Sequence, residues 1–430
     1  MTRLLALLLV IGTAPVLAAQ RGPSATGVEP DGTTPLHRAS YEDDLAGADT
    51  LLRGGADVNA ANDLGATPLW LASLNGSAPM VRRLLDAGAN PNLALLSGET
   101  PLMVAARGGY VEVVELLAAT GANVNARGTR GQTALMWAVA QRHPSVVKAL
   151  LARGADVHAK SDVWGQVMAV PPHGHADYNK WIPHGGETAL LFAARSGDLD
   201  SARLLLAAGA NVHDADAWGV TAMVLAAHAG HRELVEFLLE KGADPNASAP
   251  GFAALHIAIM RRDERMAAAL LARGADPDAP LRTWTPTRRA SADWNFPPAL
   301  VGATPFWLAA RVLHPGIMRL LAAHGANPRV VHRSDFYLND MYDRRAEATT
   351  ALMAAVGMGI GGNPWLPAPW QTREALALEA VQVAVELGAD LNAANTDGRT
   401  ALDAAQAMKY ESVVRYLVEK GARSGKAQVR

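Results

Sequence analysis

Apolar residues in this chain come in short bursts at helical spacing, and each burst ends at a glycine. Between Gly219 and Asn246 a first burst (Met223 to Ala227) is followed by Gly230-His231, then by Leu234, Val235, Phe237, Leu238 and Leu239, and then by Gly242. The same order holds further upstream. Leu102 and Ala105 share one helical face with Ala106 beside them, and Val113, Val114, Leu116 and Leu117 make the broad stripe of a buried second helix. The pattern predicts two short helices joined by a tight turn. A threonine precedes the first helix as N-cap, and Pro35, Pro68, Pro101 and Pro305 fall at its first position, where the fixed proline φ is already helical. Gly121 and its counterparts supply the left-handed residue that ends the second helix. The turn-rich run from Asn125 to Gly131 then projects as a finger. Two such helices expose more apolar surface than they hide, so the unit needs copies to stack against.

The copies can be counted. A Thr-x-Leu-x-x-Ala tract or near variant begins at Thr34, Thr67, Thr100, Thr133, Thr188, Thr221, Ala253, Thr304, Thr350 and Thr400. Gly-Ala follows at Gly55, Gly88, Gly121, Gly154, Gly209, Gly242, Gly274, Gly325, Gly388 and Gly421. In nine of the ten copies these marks stand 21 residues apart, and the undisturbed period is 33 residues, which predicts a stacked array.

Thr34-Pro35-Leu36-His37-Arg38-Ala39, Gly230-His231 and Gly242-Ala243-Asp244-Pro245-Asn246 resemble the opening hexapeptide, inter-helix turn and closing tract of the ankyrin-repeat family. The resemblance runs from about Asp31 to Ala422. It implies an all-α ankyrin-repeat solenoid of about ten helix-turn-helix repeats with β-hairpin fingers, over residues 31–423. It also implies a non-catalytic protein-protein interaction scaffold that binds a protein or peptide on its finger and inner-helix surface. Carried onto this chain, the family's contact positions are Leu64, Arg130, Trp164 and Trp218 on fingers, with Arg107, Gln141, Arg195, His228 and Arg261 on first helices. Trp164 and Trp218 are the sharpest candidates, because tryptophan and arginine dominate interface energetics. The alternative for both is stacking between neighbouring fingers.

Four loop insertions break the period, near residues 166–185, 281–299, 329–346 and 357–371, adding 22, 18, 13 and 17 residues. They carry aromatics that either pack back on the scaffold or await a ligand, among them Trp181, Trp284 and Trp294 as further contact candidates. A second function follows from them: a ligand- or metal-binding site built by the insertions, with enzymatic activity as its extension. His173, His175, His184 and Asp177 could supply metal ligands, although their spacing is not that of a closed site. His228 and His231 also resemble a ligand pair, but His231 belongs to the repeated turn. Gly357 to Gly362 lacks the strand-loop-helix setting of a phosphate loop. No nucleophile or metalloprotease motif is present, so neither a catalytic residue nor a cofactor is assigned.

Composition narrows the surroundings. The net charge of −2 gives no global field for nucleic acid. Residues 1–19 have the short basic start, apolar core and small-residue cut site of a secretory signal peptide, with cleavage expected after Ala18 or Ala19. A spacer at 20–30 follows, and no apolar run of the mature chain is long enough to span a bilayer. With no cysteine there is neither a lipid-anchored cysteine nor a disulfide, which suits a periplasmic or secreted bacterial protein. Polar residues of the last copy, Asp403 to Glu419, are expected to face water as a cap, ahead of a tail at 424–430.

Overall fold

Threonine and proline start the helices as their chemistry requires. The computed structural model describes residues 27–169, 179–285, 296–337, 344–359 and 370–425. The Thr67, Thr100 and Thr133 hydroxyls accept from the backbone N–H three residues on, at 3.2, 3.3 and 3.4 Å. Where Ala253 replaces the threonine, the Ala253 N–H instead donates to Nδ1 of the buried His256 (3.1 Å), whose Nε2 meets the Ala279 carbonyl at 2.9 Å. His37 holds the equivalent place in the first copy, with Nε2 at 2.9 Å from the Ala66 carbonyl. Burial lowers the His256 pKa to about 4, so its ring is held neutral.

The contacts divide the chain into two compact units, up to Asn123 and from Val124 on. In the first unit α1 (Pro35–Glu42), α3 (Pro68–Asn75) and α5 (Pro101–Gly108) stack in order. Behind them α2 (Leu45–Arg53), α4 (Ala78–Asp86) and α6 (Val111–Ala119) do the same. In the second unit the helices again come as packed pairs: α7 (Ala134–Ala140) and α8 (Pro144–Ala152), then, beyond the first insertion, α9 (Ala189–Ser196) and α10 (Leu199–Ala207). The pairs α11 (Ala222–Ala229) with α12 (Arg232–Glu240) and α13 (Ala254–Met260) with α14 (Glu264–Ala272) follow. After the second insertion come α15 (Pro305–Arg311) with α16 (Pro315–Ala323), α17 (Ala351–Ala355) with α18 (Trp370–Glu386), and α19 (Ala401–Ala407) with α20 (Glu411–Glu419).

Leu102, Ala105, Ala106, Val113, Val114 and Leu117 are at most 1% exposed, while Leu116 at the edge of the stripe is only half-buried. The ten glycines that close the second helices have φ between +82° and +95°, the left-handed region in which a side chain is strained. Finger asparagines tie neighbours together. In the first unit Asn59 Nδ2 donates to the Gly88 carbonyl at 3.2 Å, and its Oδ1 accepts from Asn90 N–H at 2.7 Å. In the second, Asn125 and Asn246 repeat the bond to the Gly154 and Gly274 carbonyls at 3.1 and 2.9 Å.

Two expectations need correction. The first and third insertions, read as loops on the fingers, are β-hairpins. Antiparallel β1 (Trp164–Ala169) and β2 (Asn179–His184) pair Trp164 with His184 and Val167 with Trp181. β3 (His332–Tyr337) and β4 (Arg344–Thr349) pair His332 with Thr349. The fourth insertion runs into a helix: α18 has 17 residues where every other second helix has 9. In the last copy Gln406, Lys409, Glu411, Arg415 and Glu419 are exposed as expected of a cap, and the half-buried Asp403 carboxylate also accepts from Thr400 N–H (2.7 Å) and Gly425 N–H (2.9 Å).

Candidate interaction surface

Strand alternation sorts the β1–β2 hairpin into two unlike faces. On one, Ile182 is 4% exposed, and Trp164 stacks on His184 with ring centroids 4.5 Å apart and planes 23° apart. The Arg130 guanidinium sits 4.8 Å above the Trp164 ring, and the Arg130 carbonyl accepts from Asp162 N–H at 2.8 Å. Trp164 is therefore packed by a cation and an imidazole, in the neighbour stacking weighed as its alternative role. On the other face Trp181 is 68% exposed beside its cross-strand partner Val167 at 59%, with Val163 at 63% just before the strand. The Trp181 indole lies flat over Gly165, where an added Cβ would come within 1.9 Å of the ring. One side of the indole rests on backbone, and much of the rest meets solvent.

The other candidates of the second unit are satisfied by their own neighbours to differing degrees. Trp218 is half-buried, its ring edge-on to Phe252 at 5.8 Å, and Phe252 in turn meets the buried Phe296 at 5.5 Å. Of the two outcomes open to the insertion aromatics, Trp284 takes the packing one and is not available as a contact residue: it is 6% exposed and packs against Val301 and Tyr337. Arg195 is exposed but pairs with Glu187. Arg261 donates through Nη1 to the His228 carbonyl at 2.8 Å and lies over Gly230, while Gln141 and His228 are exposed. His231 covers Gly197 and meets the Arg195 carbonyl at 3.3 Å, and burial lowers its pKa, which fits its place in the repeated turn. Trp294, His173, His175 and Asp177 lie outside the described residues, so of the four metal-ligand candidates only His184 is placed, in the Trp164 stack. Among the described residues no three His, Asp or Glu side chains gather as metal ligands, and no helix is long and apolar enough to cross a membrane.

In the first unit Leu64 is 67% exposed at a finger tip, and its carbonyl accepts from Leu96 N–H at 2.9 Å. Leu96, which sequence reasoning passed over, is more exposed still at 82%. Arg107 pairs with Glu99 at 2.7 Å, and burial pushes the Glu99 carboxyl above its usual range. Glu99–Arg107 and Glu187–Arg195 share one spacing, a glutamate just before the cap threonine and an arginine eight residues on. That signal could have identified both arginines as internally neutralised. Val163 and Val167 were missed as well, and only the hairpin register reveals them beside Trp181.

The family model described as ankyrin repeats (3 copies) matches residues 7–94, 69–161 and 190–280, more than half of the chain. Among curated proteins there is no match. With capped helix pairs stacked in both units and that coverage, the chain belongs to the ankyrin-repeat family.

Proposed function

We propose that this protein is a non-catalytic interaction scaffold of the cell envelope that binds a protein or extended peptide on its fingers and inner helices. Ankyrin repeats generally mediate protein-protein interaction and are typically non-enzymatic scaffolds. About ten repeats, over residues 31–423, form the support. The observation that carries the reading is the outer face of β1–β2, where Trp181 and Val167 form an exposed apolar cross-strand pair on a hairpin anchored by Ile182. A large aromatic fixed on backbone loses little freedom when a partner covers it, so more of the contact energy appears as affinity. Trp164 and Arg130, on the opposite face of the same hairpin and the neighbouring finger, are already fixed in place. The aromatic insertions also motivate the ligand- or metal-site reading; of its histidines only His184 is placed, and it serves the stack.

The test is capture of the binding partner from envelope extract of the source organism with wild type and a Trp181→Ala/Val167→Ser variant. At least a tenfold loss of the captured protein is expected, with no loss for Arg333→Ala on the other hairpin. Equal capture by all three would remove the assignment. For export, the expected result is a processed protein beginning at Ala19 or Gln20. An intact amino terminus in the envelope fraction would contradict it.

A further inference from the structure

A two-stranded hairpin has two outer edges, each a row of backbone donors and acceptors open to a further strand. Three of the four such edges in this protein are covered or blunted. β3 packs on the turn Pro298–Leu300, whose Ala299 carbonyl meets His332 Nε2 at 3.0 Å. β4 gives its Ala348 N–H to Thr396 Oγ1 at 3.0 Å, and Arg344, Arg345 and Glu347 charge the strand. β2 carries Lys180 and Pro183, two residue types that discourage strand addition, and just past it the Gly185 carbonyl accepts from Ala217 N–H at 2.9 Å. β1, Trp-Gly-Gln-Val-Met-Ala, has neither charge nor proline.

The register tells which β1 groups face outward. Pro183 has no N–H, yet the pairing runs unbroken through Gly165 and Pro183. That pair is therefore not a hydrogen-bonded one, and its backbone groups point away from the partner strand. By the two-residue period Val167 and Ala169 share the outward orientation. Among the described residues no hydrogen bond joins the Gly165 or Val167 backbone to a group outside the hairpin. Gln166 and Val167 are exposed, and the Val167 and Trp181 side chains form one apolar row across the two strands. The open backbone row and the apolar row meet at Val167.

We propose that β1 takes an extended segment of a partner protein as a third, antiparallel strand, whose apolar side chains at alternate positions continue the row from Trp181 and Val167. This rests on the β1–β2 reading of the function and names its mode of binding. A residue directly opposite Val167 in that arrangement shares its face and turns its own N–H toward β1, so the apolar residues of the segment are the ones that donate.

The probe is a fluorescent peptide of about ten residues, a long strand's length, alternating valine and threonine with lysine at each end. Two further copies are N-methylated, one on its valines and one on its threonines. The full chain is expected to bind the parent and the threonine-methylated peptide alike, and the valine-methylated one at least tenfold more weakly. Val167→Pro, whose outward nitrogen takes no part in the hairpin's own bonds, should weaken the parent peptide at least tenfold, and Val167→Ser, which keeps the N–H, clearly less. The methylated peptides read the same bond without altering the protein. No binding, equal binding of the methylated peptides, the reverse order, or binding indifferent to Val167→Pro overturns the proposal. So does a dimer of the free chain in light scattering that Val167→Pro dissolves, because a second β1 would then hold the edge. If the peptide tests fail while partner capture still depends on Trp181, strand addition falls and the β1–β2 surface stands; capture that is indifferent as well removes both.

Discussion

The two hairpins occupy equivalent places, each grown from a finger between a helix-stopping glycine and the next cap threonine, yet they are built in opposite ways. In β3 the inward residues His332, Ser334 and Phe336 are 2%, 6% and 5% exposed, and the His332 ring sits 4.4 Å from that of the buried Trp307. Beneath them Arg311 is buried, its pKa lowered by desolvation to about 10, facing the Glu347 carboxyl that burial pushes up. The outward residues are charged, with Asp335 bonded to Arg344 at 2.6 Å. In β1–β2 one face is anchored by Ile182 and the Trp164 stack, and the outward face is the apolar one. An exposed sheet face normally carries polar residues. A hairpin with an apolar side turned out is poorly explained by stability, and the proposed recognition role of β1–β2 rests on that contrast.

The largest test of the contrast is truncation. Phe336→Ala should cost about 3–4 kcal/mol in urea unfolding. Trp181→Ala should stay within about 0.5 kcal/mol, because it removes little buried area. Similar losses at both positions would erase the distinction. Acid comes next. The His256 and His332 pKa values are both lowered by burial, His256 to about 4 from 6.5. Between those values the unfolded chain binds more protons than the folded one, so stability present above pH 6.5 is lost as pH falls toward 4. The loss is on the order of 3 kcal/mol for His256. The urea unfolding free energy should therefore fall over that window, and a flat profile from pH 7 to 4 would contradict the neutral buried His256 ring.

A smaller effect is expected at Gly165→Ala. The new Cβ displaces the Trp181 indole from the backbone, shifting Trp181 fluorescence and weakening partner capture while leaving the unfolding midpoint nearly unchanged. Least of all, Asp335→Asn breaks a pair whose side chains are 63% and 51% exposed, and the change should be within a few tenths of a kcal/mol.

How much of this was legible in the sequence follows from the range of each interaction. Caps, stops and stripes are local, so threonine, proline and glycine at a 33-residue period announced the helix pairs. The His37 and His256 bridges also repeat a motif position. The hairpins were not legible, because Val-Met-Ala-Val and Asn-Lys-Trp-Ile alternate too briefly to separate strand from loop, and only pairing fixes which face Trp181 takes. The choice between packing and contact for Trp284 was not legible for a related reason: its burial depends on Val301 and Tyr337, which come from beyond the insertion. Arg107 and Arg195 looked free because the glutamates that hold them lie eight residues away in sequence, before the helix begins.

The most direct measurement is site-specific photocrosslinking in the source organism, with a benzophenone amino acid at Trp181 in one protein and at the exposed Arg333 of β3 in another. The account predicts a discrete protein adduct from position 181 and none of that size from position 333. Adducts of equal yield at both positions, or one at position 333 alone, would contradict it.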